Sequence, residues 1–472
     1  MFITDQQRRV VIVFLFAVGS AAFAAHLMVV LSPPLFIGSL IVLVAIGAIL
    51  LSPATGLYLY VFVEAFRSID HQFFDEGLLS GARIIILVTI VSFAVRVLVP
   101  NIIPFAQATR TPLTIIDRSL FVFTFLSIVS SLRSASTGLL HTISFVSLYS
   151  LYFITRNIIK DWRILQRLVD VWIVATLALI VYELNFAIED FALLGAGNPR
   201  RIGGEFGNPN GMALWLLLLL GPLFQRYFTS EGIAKRALNF TLLGIVSTFL
   251  LLTGSRGGWL AGITILVLSI MFIKPRQAMG DNALEKRRKF GLKSISTIIT
   301  VFVFFFVLVQ LFNPVIERRL IGLQGDDLDT RLNDLQASLN LFYSSPIIGV
   351  GIGSNYRYEI ELLMRNPETL IDGAPNSPHN LYTGLLAQQG MIGVITFGIF
   401  LVITIQQYTR LTLRYADSRY SSIPLGFAAS MVGYLVFAAT HAALMYNMVW
   451  FVFGAFSAAV ELLKDEKVTD QV

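Results

Sequence analysis

Apolar runs about as long as a bilayer is thick recur along almost the whole chain. A helix crossing a hydrocarbon core needs about 20 mostly apolar residues. In lipid only helices and closed barrels satisfy their own backbone polar groups. Such runs lie near residues 10–31, 35–51, 54–66, 82–99, 118–131, 138–155, 167–188, 211–225, 238–253, 257–274, 294–312, 379–405, 422–441 and 445–462. Those at 54–66 and 118–131 are short. The pattern predicts an all-α, polytopic membrane helix bundle of about 12–14 transmembrane helices. Only 14% of the 472 residues are charged, against about 25% in soluble domains. That is too little charge to cover a water-soluble surface of this size, so a soluble enzyme and a disordered protein are excluded. The chain has no Cys, which rules out a disulfide scaffold, thiol nucleophiles and thiolate metal sites. Arg8 and Arg9 precede the first run. It stays apolar through Leu31, too long for a signal-peptide core, and reads as a retained helix.

Lys and Arg collect on the cytoplasmic side of short loops. With the N-terminus inside and the spans alternating, 24 of the 35 basic residues fall inside, all eight Lys among them. The formal charge of +6 is therefore an orientation signal, and no nucleic-acid partner is expected. Both termini are expected in the cytoplasm, and membrane lipids are the expected surroundings. One membrane domain, 1–472, is expected, without internal repeats. It carries one outer-face loop subdomain, 313–378, inserted between spans.

That loop has internal order. From Asp329, Leu332, Leu335, Leu339 and Phe342 recur at steps of three and four, which predicts one apolar helical face. Asp329 is positioned to cap this helix and Pro346 to stop it. Gly349, Gly351 and Gly353 follow at spacing two. Glycines let a backbone approach a neighbour closely. No GK[ST] follows, so the run reads as a tight turn returning the chain to the bilayer rather than as a phosphate loop. Asp326, Asp327 and Asp329 read as a solvated acidic cap rather than a calcium site. No HExxH or paired-His helix occurs, and no catalytic metal is expected.

Three polar segments map to the same outer face: 198–215 (NPRRIGGEFGNPNGMALW), 253–262 (TGSRGGWLAG) and 376–393 (NSPHNLYTGLLAQQGMIG). Polar groups in membrane proteins are costly and mark function. Arg256, flanked by Gly257 and Gly258, sits in a turn too short to let its side chain wander. It is either an anion ligand or an anchor to lipid headgroups. His379 follows Pro378 and precedes Asn380. Imidazole titrates near pH 6.5 and suits proton abstraction from a sugar hydroxyl. An interfacial His that bonds headgroups would look the same in the sequence. Glu64 and Glu183 lie near outer helix ends and can neutralise arginines. No charged run threads the middle of the spans, which argues against a proton-coupled transporter.

In this order, GNPNGMA, SRGGWLAG, an Arg-led loop helix ending in SSPIIGVGIGSNY, and PHNLYTGLLAQQGMIG resemble the O-antigen ligase and O-antigen polymerase superfamily over residues 195–405. The resemblance implies a metal-independent, membrane-integral glycosyltransferase of the GT-C type without a cofactor. Its donor is a polyprenyl-diphosphate-linked glycan. Its acceptor is a lipid-anchored or saccharide group, met at the periplasmic face of the bacterial inner membrane. Carried over residue by residue, the catalytic His falls on His379. The pyrophosphate-binding arginines fall on Arg256 and Arg331, with Arg201 as a further candidate and Asn208, Asn210 and Asn380 in support. The polyprenyl tail needs a lipid-open groove, which the many Phe and Leu side chains can line. The loop segment Tyr356–Asp372 mixes aromatic, aliphatic and charged residues, suited to acceptor contact or to an amphipathic cover. The PHN and SRGG segments resemble the ligase branch. A polymerase with the same donor chemistry is the first alternative, and a polysaccharide or lipid flippase the second.

Overall fold

The computed structural model describes residues 33–66, 80–98, 112–133, 138–192, 202–203, 206, 208–272, 325–352, 380–414, 420, 422–442 and 444–469. The expected spans at 10–31 and 294–312 lie outside these residues. Thirteen α-helices occupy the described chain, with no strand among them. In chain order they are α1 (Pro33–Leu51), α2 (Pro53–Ala65), α3 (Gly81–Leu98), α4 (Ile115–Ser131), α5 (Gly138–Ile158) and α6 (Trp162–Ala192). Next come α7 (Pro209–Thr229), α8 (Ile233–Leu252), α9 (Arg256–Phe272) and the loop helix α10 (Gly325–Ser344). The last three are α11 (Leu381–Arg414), α12 (Ser422–Ala438) and α13 (Asn447–Thr469). Six are long and apolar enough to cross a bilayer, and several shorter apolar helices accompany them. Every expected span within the described residues is a helix. The chain is a polytopic membrane helix bundle.

Helices α7 and α13 form its centre, and they are the most deeply buried of the long apolar helices. Lipid tails are as apolar as Leu, so helices in a membrane gain by close packing and interhelical hydrogen bonds. The α7–α12 contact shows both. A Cβ on Gly221 would lie 2.0 Å from the Gly426 carbonyl oxygen, so the two backbones touch. Pro222 lies inside α7 and has no N–H to give to the carbonyl of Leu218, four residues back. The Ser430 hydroxyl of α12 donates to that carbonyl at 2.8 Å and accepts the Gly221 N–H at 3.1 Å. Large apolar side chains such as Phe121, Phe125, Leu260, Ile263, Ile395 and Val402 are left on the outside, where lipid would meet them.

The two ends of the bundle differ. At one end Arg96 of α3 donates to the carbonyls of Leu50 and Leu51 that close α1, a favourable place for a cation. Arg156 and Asp117 pair at 3.2 Å with both side chains fully buried. Asp117 also closes the capping box of α4 with Thr114 and accepts the Tyr152 hydroxyl at 2.6 Å. Arg226 meets Asp170, Lys464 meets Glu461, and Trp162 stacks on Tyr420 at the same end. Helix α7 runs from there to the opposite end, about 30 Å away for its 21 residues.

Candidate functional site

The opposite end gathers the start of α7, the end of α8, the starts of α9, α11 and α13, and the end of α12. Arg256 is the first residue of α9. The turn before it is closely held. Gly254 adopts φ +62°, the left-handed conformation that glycine tolerates. Thr253 Oγ1 donates to the Leu250 carbonyl at 2.7 Å, and Ser255 Oγ accepts the Gly258 N–H at 3.3 Å. Trp259 Nε1 reaches back to the carbonyls of Leu250 and Leu251 at 3.3 Å each. The two flanking glycines have steric reasons. A Cβ on Gly257 would lie 2.0 Å from Thr440 Oγ1 at the end of α12, and one on Gly258 would lie 3.1 Å from the Cβ of Ala213 in α7. The half-buried Arg256 thus starts from a backbone wedged between two helices.

The neighbouring segments converge on this turn. The Ile202 N–H reaches the Leu252 carbonyl at 3.4 Å, so Ile202 sits beside the end of α8. Asn208 caps α7, its side-chain oxygen accepting the Asn210 N–H at 2.9 Å. Gly211 fits between Phe206 and Tyr446. Asn380 does for α11 what Asn208 does for α7. Its Oδ1 accepts the Tyr382 N–H at 2.8 Å and the Thr383 N–H at 3.4 Å. The Tyr382 hydroxyl donates to the Leu435 carbonyl at 2.8 Å, tying the start of α11 to the end of α12. His441 follows Thr440 and stacks on Phe437 with ring centroids 5.1 Å apart. Its place beside the Arg256 turn is visible only in three dimensions. Glu64 is buried and accepts the Asn447 amide on both carboxylate oxygens at 3.2 Å.

Arg256, Asn208, Asn210 and Asn380 are therefore brought to one end of the bundle. Asn208 and Asn380 both have a structural duty as helix caps. His379, Arg201 and the side chain of Arg331 lie outside the described residues, as does the segment Tyr356–Asp372. The helix that carries Arg331, α10, packs along the first part of α11 through Leu341 and Ala387. It begins at Gly325, so Asp329 lies within the helix and does not cap it. Its buried face is not the leucine stripe. Asp334, Ser338 and Leu341 are buried, whereas Leu332 and Leu335 are 52% and 41% exposed. The close contact with α11 is made by Leu341 with the small Ala337 beside it, and Leu332 and Leu335 are left on the open face.

The sequence also missed a break. Helix α11 departs from helical geometry at Gly390, with φ 64° and ψ −160°. The glycine turn after α10 fills that break, so the expected tight turn closes against another helix. An apolar cleft of about 190 Å³ between α9, α11, α12 and α13 includes Leu268, Phe272, Leu401, Leu425 and Met431. It lies in the other half of the bundle. Phe272 closes α9 about 24 Å from Arg256 along the axis.

The geometry defines a class: a helical membrane protein with its polar loop segments and a rigidly mounted Arg collected at one end. Residues 241–398 match the family model described as O-antigen ligase. The matched stretch contains the second part of α8, the Arg256 turn, α9, α10 and the first half of α11, several of the parts that build this end. Over that stretch the match supports the resemblance to the O-antigen ligase and polymerase superfamily drawn from the motifs. No curated protein matches the chain.

Proposed function

We propose that the chain is a membrane glycan transferase of the O-antigen ligase type, acting at the Arg256 end of the bundle. What carries this reading is the wedged start of α9. It holds a guanidinium at the same end of the membrane bundle as the capped start of α11, one residue after His379. The opposite end carries Arg96, Arg156, Arg226 and Lys464. By the positive-inside rule that end is cytoplasmic, and the site faces the periplasm across the inner membrane.

The donor is a glycan on a polyprenyl diphosphate. An acceptor hydroxyl oxygen attacks the anomeric carbon and forms the new glycosidic bond. The bond from that carbon to the diphosphate oxygen breaks, and its electron pair leaves with the carrier. The hydroxyl proton passes to the imidazole of His379. Arg256 and Arg331, joined by Arg201, bind the diphosphate as negative charge grows on it. Guanidinium groups suit this because they present parallel donors to phosphate oxygens. Preorganised donors of this kind contribute on the order of 3 kcal/mol each in comparable sites, and no metal is required. A base in the position of His379 adds a further factor of about 10²–10⁴. The acceptor lies along the outer loop near α10 and Tyr356–Asp372.

A polymerase would use the same donor site and differ in its acceptor, a second carrier-linked glycan. The likeness of PHN and SRGG to the ligase branch favours the ligase. A flippase is disfavoured because the polar segments gather at one end instead of threading the spans. Deletion of the gene, followed by analysis of carrier-linked and surface glycans, tests the reading. Loss of a ligase leaves polymer stranded on the carrier lipid. Single repeat units transferred to the surface would make the protein a polymerase.

A further inference from the structure

The break in α11 leaves backbone groups that the helix cannot satisfy, and they are met by one turn and one helix end. The Met391 and Ile392 N–H groups donate to the carbonyls of Pro346 and Ile347, at 2.9 and 3.1 Å. In return, the carbonyls of Ala387 and Gln388 accept from the N–H groups of Val350 and Gly351, at 3.0 and 2.9 Å. The turn and the broken helix interlock like two short strands. Unpaired backbone groups are costly in a membrane, so this pairing is the condition for the break to exist. The fit leaves no space. A Cβ on Gly390 would lie 2.5 Å from the Ile347 carbonyl carbon, and one on Gly349 would lie 2.2 Å from that of Gln388.

The end of α4 closes the assembly from the side. The Ser130 hydroxyl donates to the Gln388 carbonyl at 2.9 Å, and the Ser127 hydroxyl to Gln389 Oε1 at 3.1 Å. Arg133 reaches the turn itself. Its Nη1 donates to Ser345 Oγ at 3.3 Å and, at short range, to the Gly349 carbonyl, which also accepts the Ser345 hydroxyl at 2.9 Å. Gly349 has φ +68°, a conformation that glycine adopts at little cost. The turn follows directly on α10, which carries Arg331. The broken helix starts at Asn380, next to His379. Whatever fixes the turn against the break therefore fixes the two parts of the proposed site relative to each other.

We propose that Arg133 is a positioning residue. By clamping the Gly349 turn onto the break in α11, it sets the helix carrying Arg331 against the helix that begins at Asn380. The inference rests on the transferase reading for its consequence in activity, and on the hydrogen bonds alone for its mechanical part. Arg133 touches neither donor nor acceptor in this account.

The chain has no native Cys, so both halves can be tested with introduced pairs. Spin labels at Gln336→Cys on α10 and Phe125→Cys on α4, both on exposed positions, should give one narrow distance. Arg133→Ala should broaden it, and Arg133→Lys, which keeps a donor for the carbonyl, should leave it narrow. Transfer by Arg133→Ala should fall by roughly tenfold to a hundredfold, the scale of a misplacement of about 1 Å. Adding Leu341→Cys with Ala387→Cys, at the α10–α11 contact, should restore transfer to Arg133→Ala when the pair is oxidised and lose it again on reduction. An unchanged distance in Arg133→Ala overturns the clamp. So does a broadened distance with normal transfer, or an oxidised pair that narrows the distance without restoring transfer. A parent protein that shows the narrow distance and its broadening in Arg133→Ala, but transfers no glycan, supports the clamp and sinks the transferase reading.

Discussion

Arg256 shows how much of a functional argument one residue can bear. In the proposed reaction its side chain holds a diphosphate with two donors in fixed geometry, and its backbone is wedged by Gly257 against Thr440 and by Gly258 against Ala213. Lys has the charge without the planar fork. Arg256→Ala and Arg256→Lys are therefore both expected to lower transfer by about 10²-fold or more, with the loss of one preorganised donor as the scale. Retention of transfer by the Lys variant in a membrane-vesicle assay would reduce Arg256 to a headgroup anchor. His379→Ala should abolish transfer while the protein still inserts, and His441→Ala, with its ring stacked on Phe437, should be much milder. If the two variants exchange these phenotypes, the base belongs to the end of α12. Asn380 already has a duty as the cap of α11, so Asn380→Asp, which keeps a capping oxygen, should preserve folding and show through transfer whether the amide touches substrate.

At the scale of elements, the break in α11 is the feature to test. Gly349→Ala and Gly390→Ala would each force a side chain into a carbonyl of the partner segment, at a positive φ. A non-glycine residue in such a conformation costs about 1–3 kcal/mol before the clash is counted. Both variants should lower the unfolding temperature in detergent and reduce transfer, while Gly398→Ala, with open space at its Cβ, should change neither. Equal behaviour of the three would mean that the interlock has no role. The helices themselves were legible in the sequence, because a span announces itself by length and apolarity. The break was not, since it depends on hydrogen bonds between segments about forty residues apart that no local pattern records. Helix α10 shows the complementary failure. Its leucine stripe has a helical period, but the contact with α11 is made by Leu341 with the small Ala337 beside it, while Leu332 and Leu335 stay exposed. Close packing between helices selects small residues, so the most apolar stripe need not be the packed one.

For the whole molecule, the sequence was informative about where chemistry gathers and less so about how it is held. Charge alternation alone predicted that Arg256 and the PHN segment share one face and that Arg96, Arg156, Arg226 and Lys464 share the other, and the bundle keeps Arg256 and Asn380 apart from those four. Which face meets which compartment can be read with single Cys substitutions, since the chain has none of its own. An impermeant thiol reagent applied to intact cells should label Asp372→Cys and leave Asp281→Cys unlabelled. The opposite pattern would turn the site toward the cytoplasm. The central claim is bond making, and reconstitution tests it most directly. Purified protein in lipid vesicles is given carrier-linked glycan and a lipid-anchored acceptor, with EDTA present. The account expects the glycan on the acceptor and free polyprenyl diphosphate in equal amount, both lost in Arg256→Ala. Glycan that remains on its carrier with every acceptor offered, or transfer that requires an added divalent ion, would contradict it.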